Sequence, residues 1–287
     1  MDASFTVQKI CVLGLGYIGL PTASILATKG FQVCGVDINQ QVVETINSGK
    51  IHIHEPGLDT LVKSAVLSGN LKASLEPQSA DVFLIAVPTP LQEQHHPDIS
   101  YIKAAVWALA PYLVPGNLVI LESTSPVGTT EKIVEWIEEL RPDLSNTSTQ
   151  SSFSIFAAYC PERVLPGRTL EELIGNDRII GGINSASAER AQAFYQQFVS
   201  GNILLTDART AEMCKLTENA FRDVNIAFAN ELSMICDHLK INVWELISLA
   251  NRHPRVNILQ PGPGVGGHCI AVDPWFIVDS APNQAHL

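Results

Sequence analysis

The stretch Lys9-Ile10-Cys11-Val12-Leu13-Gly14-Leu15-Gly16-Tyr17-Ile18-Gly19 decides the fold. An apolar run of strand length ends in a GxGxxG pattern. A helical pattern over Ile18–Thr28 follows, and a second apolar run, Val33–Val36, closes on Asp37. Three spaced glycines alone are a common turn. Between a strand and a helix, with an acidic residue at the end of the next strand, they mark a dinucleotide-binding βαβ unit. Gly14 permits the tight turn, Gly16 lets backbone approach a pyrophosphate, and Gly19 lets the helix pack on the strand, with the helix N-terminus facing the phosphates. Asp37 would accept hydrogen bonds from ribose hydroxyls and repel a 2′-phosphate, which favours NAD over NADP. The competing reading is a glycine-rich turn in an α/β domain that binds nothing.

Outward from this motif, apolar runs recur at Val82–Val87, Leu118–Leu121, Phe153–Ala157 and Ile179–Ile180. Helical patterns lie among them at Gln41–Asn47, Leu58–Leu67, Tyr101–Leu113, Thr129–Leu140 and Ala186–Phe198. The alternation predicts a Rossmann-like α/β domain, a doubly wound parallel sheet over residues 1–206. The stretch Leu144–Ser152, rich in Ser, Thr, Asn and Gln, reads as a solvated loop. From Thr210 to Leu239 there is no Pro or Gly, and apolar residues recur at helical spacing, so one long helix is predicted with Asp207 near its N-cap. Apolar flanks at Ala211–Cys214 and Ala227–Leu232 suggest that much of this helix is buried. A second helix is predicted at Val243–Asn251, then a structured Pro- and Gly-dense loop over His253–Asp273, then the start of another helix. Residues 207–287 thus form a second, central helical domain.

Bulk composition narrows the function. With 287 residues, 46% hydrophobic and 16% charged, the chain can build two packed domains. A net charge of −11 argues against binding nucleic acid backbones or anionic membrane surfaces, though a few local cations and a helix N-terminus suffice for a nucleotide. Met1–Ile10 lacks a secretory pattern, and the apolar runs are too short to cross a membrane. Cys11, Cys34, Cys160, Cys214, Cys236 and Cys269 fall at no metal-ligand spacing, so no metal site is expected. They read as reduced thiols in the cytoplasm, five of them buried small hydrophobes.

Cys269 is the exception. It follows the glycine-rich run Gln260-Pro261-Gly262-Pro263-Gly264-Val265-Gly266-Gly267-His268. Glycines let backbone crowd a ligand, so this thiol is accessible to a substrate; the alternative is a core cysteine beside a structural turn. Asp273, four residues on, comes within reach if the intervening segment turns helically. On the long helix Lys215, Asn219 and Arg222 share one face, either a solvated stripe or a buried set that needs a ligand. In Pro161-Glu162-Arg163-Val164-Leu165-Pro166-Gly167, Glu162 offers a carboxylate for water activation and Arg163 a charged donor, unless the two simply pair. Thr89 in Val87-Pro88-Thr89-Pro90 and Thr124 in Glu122-Ser123-Thr124-Ser125-Pro126 end strands on the ligand edge, where hydroxyls either meet a nicotinamide ribose or form turns and caps.

These residues resemble the UDP-glucose/GDP-mannose dehydrogenase family. The likeness runs from GLGYIGLP through VPTP, ESTSPVGTTEK, YCPERVLPG and TAEMCKLTENAFRDVNIAFANEL to PGPGVGGHCIAVDPWF, essentially the whole chain. NRHPRVNILQ and GPGVGGHCIAVDPWF are most similar to members that form UDP-N-acetyl-D-mannosaminuronate. The resemblance implies a four-electron oxidation of a sugar C6 hydroxyl with two NAD+, through a thiohemiacetal and a thioester on Cys269. It implies oxyanion stabilisation by Lys215 and Asn219, and water activation by Asp273 with Glu162. It points to Tyr17, Ile18, Asp37, Thr89 and Thr124 for the cofactor. For the UDP-sugar it points to Arg163, Val164, Arg222, His253, Arg255, Asn257 and Gly266. His268 is given a structural role. A homodimer through the long helix is also implied.

Family members continue into a UDP-binding domain, before which this sequence stops, so it is expected to bind NAD and turn over poorly. Three alternatives stand beside this reading. One is the same chemistry on UDP-glucose, UDP-N-acetylglucosamine or GDP-mannose. Another is a two-electron β-hydroxyacid dehydrogenase, which needs no thiol. The third is a non-catalytic, cofactor-binding and dimerising scaffold.

Overall fold

The structure is a computed structural model that describes residues 6–144, 154–267 and 269–285. The polar loop expected at 144–152 lies outside the described residues except for Leu144, as do Phe153 and His268. The chain forms two compact units. One comprises Met1–Thr89 with Asp98–Glu212, the other Pro90–Pro97 with Met213–Leu287.

The first unit holds strands β1 (Lys9–Leu13), β2 (Gln32–Val36), β3 (Leu71–Ser74), β4 (Val82–Ile85), β5 (Leu118–Leu121), β6 (Phe156–Tyr159), β7 (Arg178–Gly182) and β8 (Ile203–Asp207). Its helices are α1 (Gly19–Thr28), α2 (Gln40–Asn47), α3 (Leu58–Leu67), α4 (Ser100–Leu109), α5 (Thr129–Leu140), α6 (Thr169–Gly175) and α7 (Ser185–Tyr195). The strands form one sheet in the order β3-β2-β1-β4-β5-β6-β7-β8. Sequence order reverses between β1 and β4, the switch point at which such sheets open a crevice beyond their strand C-termini.

Alternate residues of the central strands feed two cores. Ile10, Val12, Val82, Leu84, Leu118 and Ile120 belong to one cluster, and Cys11, Leu13, Phe83, Ile85, Val119 and Leu121 to the other. This is why these strands read as unbroken apolar runs: both faces are covered.

One pair departs from the expected parallel sheet. β6 and β7 are antiparallel, with Ala158 opposite Gly182 and Tyr159 opposite Gly181. The sequence reading also passed over β3, β8 and α6. β3 and β8 are the two edges of the sheet; β3 alternates buried and exposed residues, and β8 offers only the short apolar run Ile203–Leu205, none of it buried, before Thr206 and Asp207. The fourth helix stops at Leu109 rather than Leu113 and gives way to a 3-10 turn over Ala110–Tyr112, where Pro111 has no N–H to continue an α-helix.

Helix α8 (Ala208–Leu239) starts in the first unit and continues through the second. Asp207 caps it, accepting from Thr210 N at 2.9 Å and from the Thr210 hydroxyl at 2.7 Å. The second unit adds α9 (Val243–Ala250) and α10 (Asp273–Ser280). Asn242 caps α9 through Trp244 N and Glu245 N. The expectation that much of α8 is buried is corrected. Leu216, Asn219, Ala220, Ala229 and Cys236 are buried, but Phe221, Val224, Phe228, Met234, Ile235 and Leu239 are exposed on this single chain. No described helix is long and apolar enough to cross a membrane.

Pro90–Pro97 groups with the second unit by direct contact. The His95 ring stacks on Trp275 with centroids 4.0 Å apart, and His96 Nδ1 lies 2.7 Å from Asp279 Oδ1.

Candidate active site

The glycine motif forms a cradle at the switch point. Gly14 leaves β1 at φ 92°, and a Cβ there would lie 2.5 Å from the Ala86 carbonyl oxygen. A Cβ on Gly19 would lie 1.8 Å from the Gly14 oxygen, so this position admits only glycine. A Cβ on Gly16, by contrast, would meet nothing within 4 Å. The first and third glycines are demanded by the fold, whereas the second faces open space where a pyrophosphate would approach. Asp37, one residue beyond β2, accepts from Leu15 N at 3.1 Å and from Asn39 N at 2.9 Å, and so ties the glycine loop to the end of β2. Tyr17 is exposed and Ile18 half-buried at the mouth of the cradle. A dinucleotide fits this arrangement: a tight glycine turn, a helix N-terminus and an acidic residue at the next strand end.

The loops after β4 and β5 are laced together. The Thr89 hydroxyl donates to the Thr124 carbonyl at 2.6 Å, and the Ser123 hydroxyl to the Val87 carbonyl at 2.8 Å. The Thr89 hydroxyl therefore shapes the loop as well as lining it. Glu212 on α8 caps the start of α5, accepting from Gly128 N, Thr130 N and the Thr130 hydroxyl. Burial pushes its carboxyl up, against the pull of those three donors.

Beyond β6, Glu162 is buried. It pairs with Arg178, whose Nη1 lies 3.0 Å from Glu162 Oε2, and its Oε1 accepts from Arg163 N at 2.6 Å. Arg178 Nη2 donates to the Leu173 carbonyl at 2.8 Å. Beside it the Tyr195 hydroxyl donates to Glu122 Oε1 at 2.7 Å. Burial pushes the Glu122 carboxyl up to about 7, partly offset by the Arg178 guanidinium. Arg163 is half-buried and donates from Nη1 to the Asp177 carbonyl at 3.3 Å; Val164 packs against the first core. Glu55 holds the loop that follows, accepting from Gly167 N and Thr169 N. Sequence reading missed Arg178, Tyr195, Glu55 and Glu212, and quoted Glu122 without giving it a role. Arg178 alone left a signal: a guanidinium at the head of the apolar run Ile179–Ile180 must be buried with a counter-charge.

In the second unit the glycine loop is anchored by Gly262 N donating to Asn230 Oδ1 at 2.8 Å. Gly264 at φ 118° and Gly267 at φ 81° hold conformations that other residues avoid. Cys269 is exposed. Its carbonyl accepts from Val272 N at 3.0 Å and from Asp273 N at 2.8 Å, so the chain does turn helically between the thiol and Asp273.

Asp273 and Asn219 are both buried and hydrogen-bonded to each other. Burial raises the Asp273 carboxyl, while Asn219 and the nearby Lys215 charge draw it back down. The sequence-predicted trio Lys215, Asn219 and Asp273 therefore comes together. Arg222, on the same helix, is exposed. A cavity of about 220 Å³ beside the thiol segment is lined by Asp223, Val265, Ile270, Ala271 and Trp275, among others. Gly266 lies exposed on the loop leading to it.

The loop carrying His253, Arg255 and Asn257 is closed at its ends by Asn251, which donates to the Ile258 carbonyl at 3.0 Å and accepts from Ile258 N at 2.8 Å. All three of these side chains are exposed. Of the six cysteines, Cys11, Cys160 and Cys236 are buried, but Cys34 and Cys214 are only half-buried, which corrects the expectation of five core thiols.

An open glycine cradle at the switch point of a doubly wound sheet marks a dinucleotide-binding protein, and its second, helical unit carries an exposed thiol. The comparisons narrow the class. Residues 8–199 match the NAD binding domain, and residues 209–286 the central domain, of the UDP-glucose/GDP-mannose dehydrogenase family. The chain belongs to this family of NAD-dependent nucleotide-sugar dehydrogenases.

It is 66% identical to the NDP-N-acetyl-D-galactosaminuronic acid dehydrogenase of Ralstonia nicotianae, with 100% of this chain and 69% of that protein covered. It is 62% identical to the UDP-N-acetyl-D-mannosamine dehydrogenase of Escherichia coli K12, over 97% of this chain and 66% of the relative. A solved structure of the UDP-D-ManNAc dehydrogenase of Pyrococcus horikoshii superposes with a TM-score of 0.89 at 46% identity, covering 98% of this chain and 66% of that one. The chain thus spans about two-thirds of the length of these relatives.

Proposed function

We propose that the chain carries the NAD-binding domain (1–206) and the thiol-bearing central domain (207–287) of a dehydrogenase that oxidises the C6 hydroxyl of UDP-N-acetyl-D-mannosamine to the carboxylate. The observation that carries this reading is the arrangement around α10. An exposed Cys269 stands one helical turn before a buried Asp273, which is clasped by Asn219 and faced by Lys215. Two-electron alcohol oxidation has no use for a thiol, whereas oxidation to the acid does.

Gly14, Gly16, Gly19, Asp37, Tyr17, Ile18, Thr89 and Thr124 would hold NAD+, which when bound would supply the hydride acceptor for two successive oxidations at C6. The first converts the alcohol to an aldehyde and releases a proton. The Cys269 thiolate then adds to the aldehyde carbon; a C–S bond forms, and the carbonyl oxygen takes up a proton as a thiohemiacetal. Loss of a hydride and a proton leaves a thioester. Water attacks it, the C–S bond breaks, and the thiol is regenerated with the carboxylate. Lys215 and Asn219 stabilise the oxyanions of these steps, and Asp273 and Glu162 supply carboxylates that orient and deprotonate the water. Arg163, Val164, Arg222, His253, Arg255, Asn257 and Gly266 are assigned to the nucleotide sugar.

A second reading, the same chemistry on the N-acetylgalactosamine isomer, is favoured by the 66% identity to the relative named for N-acetylgalactosaminuronic acid. The exposed apolar residues of α8 support a homodimer through that helix. NAD use and reduced thiols accord with the cytoplasm.

The test is the number of NADH formed per sugar consumed, with UDP-N-acetylmannosamine, UDP-N-acetylgalactosamine and UDP-glucose offered separately to the chain and to Cys269→Ala. Two NADH per UDP-N-acetylmannosamine, reduced to one or none in the variant, is expected. Two NADH per sugar in the absence of the thiol would overturn the mechanism. No NADH from any sugar, with NAD still bound, would favour the cofactor-binding scaffold.

A further inference from the structure

We propose that Arg178 is a positioning residue for the water-activating step: its guanidinium fixes the Glu162 carboxylate at the ligand edge of the sheet. This rests on the role assigned to Glu162 above.

The geometry comes from the sheet's one antiparallel pair. Ala158 faces Gly182 and Tyr159 faces Gly181. Continued three residues past the last pair, this register sets Glu162 opposite Arg178. If β7 ran parallel to β6, its first residue would lie at the opposite edge of the sheet. The reversal instead delivers a guanidinium to the edge where β1, β4 and β5 end in ligand loops.

Both groups are buried and joined at 3.0 Å. The remaining contacts aim the pair. Arg163 N fixes Glu162 Oε1 from one side, and the Leu173 carbonyl holds Arg178 Nη2 from the other. The Tyr195 ring packs 5.5 Å from the guanidinium carbon, and its hydroxyl occupies Glu122, the other carboxyl nearby. Arg178 Nε and Glu122 Oε2 make no hydrogen bond among the described residues. The Arg178 hydrogen bond thus goes to Glu162, while Glu122 feels the guanidinium only through its charge. Burying such a pair carries a desolvation penalty that its attraction need not repay, so packing alone does not call for it; what it adds is a carboxylate held in one place.

The experiment compares Arg178→Lys, Glu162→Gln and the double variant in the full chain, given nucleotide sugar and excess NAD+. NADH formation is followed in the first turnover, and the Cys269-bound acyl adduct by intact mass. Lysine keeps the charge but loses the planar fork. Arg178→Lys is expected to form the first two NADH at the normal rate and with unchanged KM, then to release the acyl group on the order of 100-fold more slowly, with the adduct accumulating. Added to Glu162→Gln, it is expected to change release less than about twofold, since it acts through that carboxylate.

Equal slowing of hydride transfer and release, or additivity with Glu162→Gln, would overturn the proposal. If Glu162→Gln slows release but Arg178→Lys does not, the proposal alone fails. If Glu162→Gln releases normally, the role of Glu162 itself is wrong and the proposal falls with it. Should Arg178→Lys not fold, the uncharged pair Arg178→Met/Glu162→Gln serves instead. Release equal to Glu162→Gln alone supports the proposal, and a further loss overturns it.

Discussion

Asn219 on α8 and Asp273 at the head of α10 are joined by a buried side-chain hydrogen bond across 54 residues of sequence. It fixes the turn that begins at Cys269, because Asp273 N also donates to the Cys269 carbonyl. The two partners fail differently when changed. Asp273→Asn keeps an acceptor for Asn219, so stability in urea is expected to stay within about 1 kcal/mol, while turnover falls with the loss of the carboxylate. Asn219→Leu leaves the buried carboxylate without its donor and is expected to cost roughly 1–3 kcal/mol. An Asp273→Asn variant with normal turnover would remove this residue from the chemistry.

Gly16 and Gly19 separate function from folding. Gly16→Ala adds a methyl where nothing stands within 4 Å, so the melting temperature is expected to hold, while NAD affinity by calorimetry falls at least about tenfold. Gly19→Ala puts a Cβ 1.8 Å from the Gly14 oxygen and is expected to cost about 3 kcal/mol or more. Normal NAD binding by Gly16→Ala would show that the pyrophosphate does not cross this glycine.

The thiols are expected to alkylate in the order of their exposure. Cys269 is exposed, whereas Cys160 is buried and its thiol pushed up to about 12, mainly by burial. With iodoacetamide at mildly alkaline pH, peptide masses are expected to show Cys269 modified before the buried Cys11, Cys160 and Cys236, with activity lost in step with Cys269. Modification of Cys236 or Cys160 ahead of Cys269 would contradict this arrangement.

Glu122 sets a pH dependence of stability. Burial raises its carboxyl from 4.5 to about 7, so between those values the folded chain binds a proton that the unfolded chain has released. The stabilisation is present below about 4.5 and is lost as pH rises to about 7, with a slope of at most about 1.4 kcal/mol per pH unit. The signature is the difference in unfolding free energy between the wild type and Glu122→Gln. It is expected to shift against the wild type across that window and to level off above it. A difference that is flat from pH 4.5 to 7.5 would show that Glu122 does not titrate there.

What the sequence determined by itself was local or periodic. The glycine fingerprint is legible because Gly14 and Gly19 sit where any side chain would collide with backbone. The central strands are legible because they are apolar on both faces, and the start of α8 because Asp207 caps it through neighbours in sequence. Cys269 and Asp273 are legible because one helical turn links them.

Tertiary structure alone decided the rest. The edge strands β3 and β8 are half-solvated, and only pairing to a neighbour makes them strands. Arg178 and Glu162 meet because β7 runs against β6, and strand direction is set by long-range pairing that no local pattern encodes. Glu212 caps a helix 82 residues away, and Glu55 a loop 112 residues away; a carboxylate shows nothing in sequence of which distant amides it will satisfy.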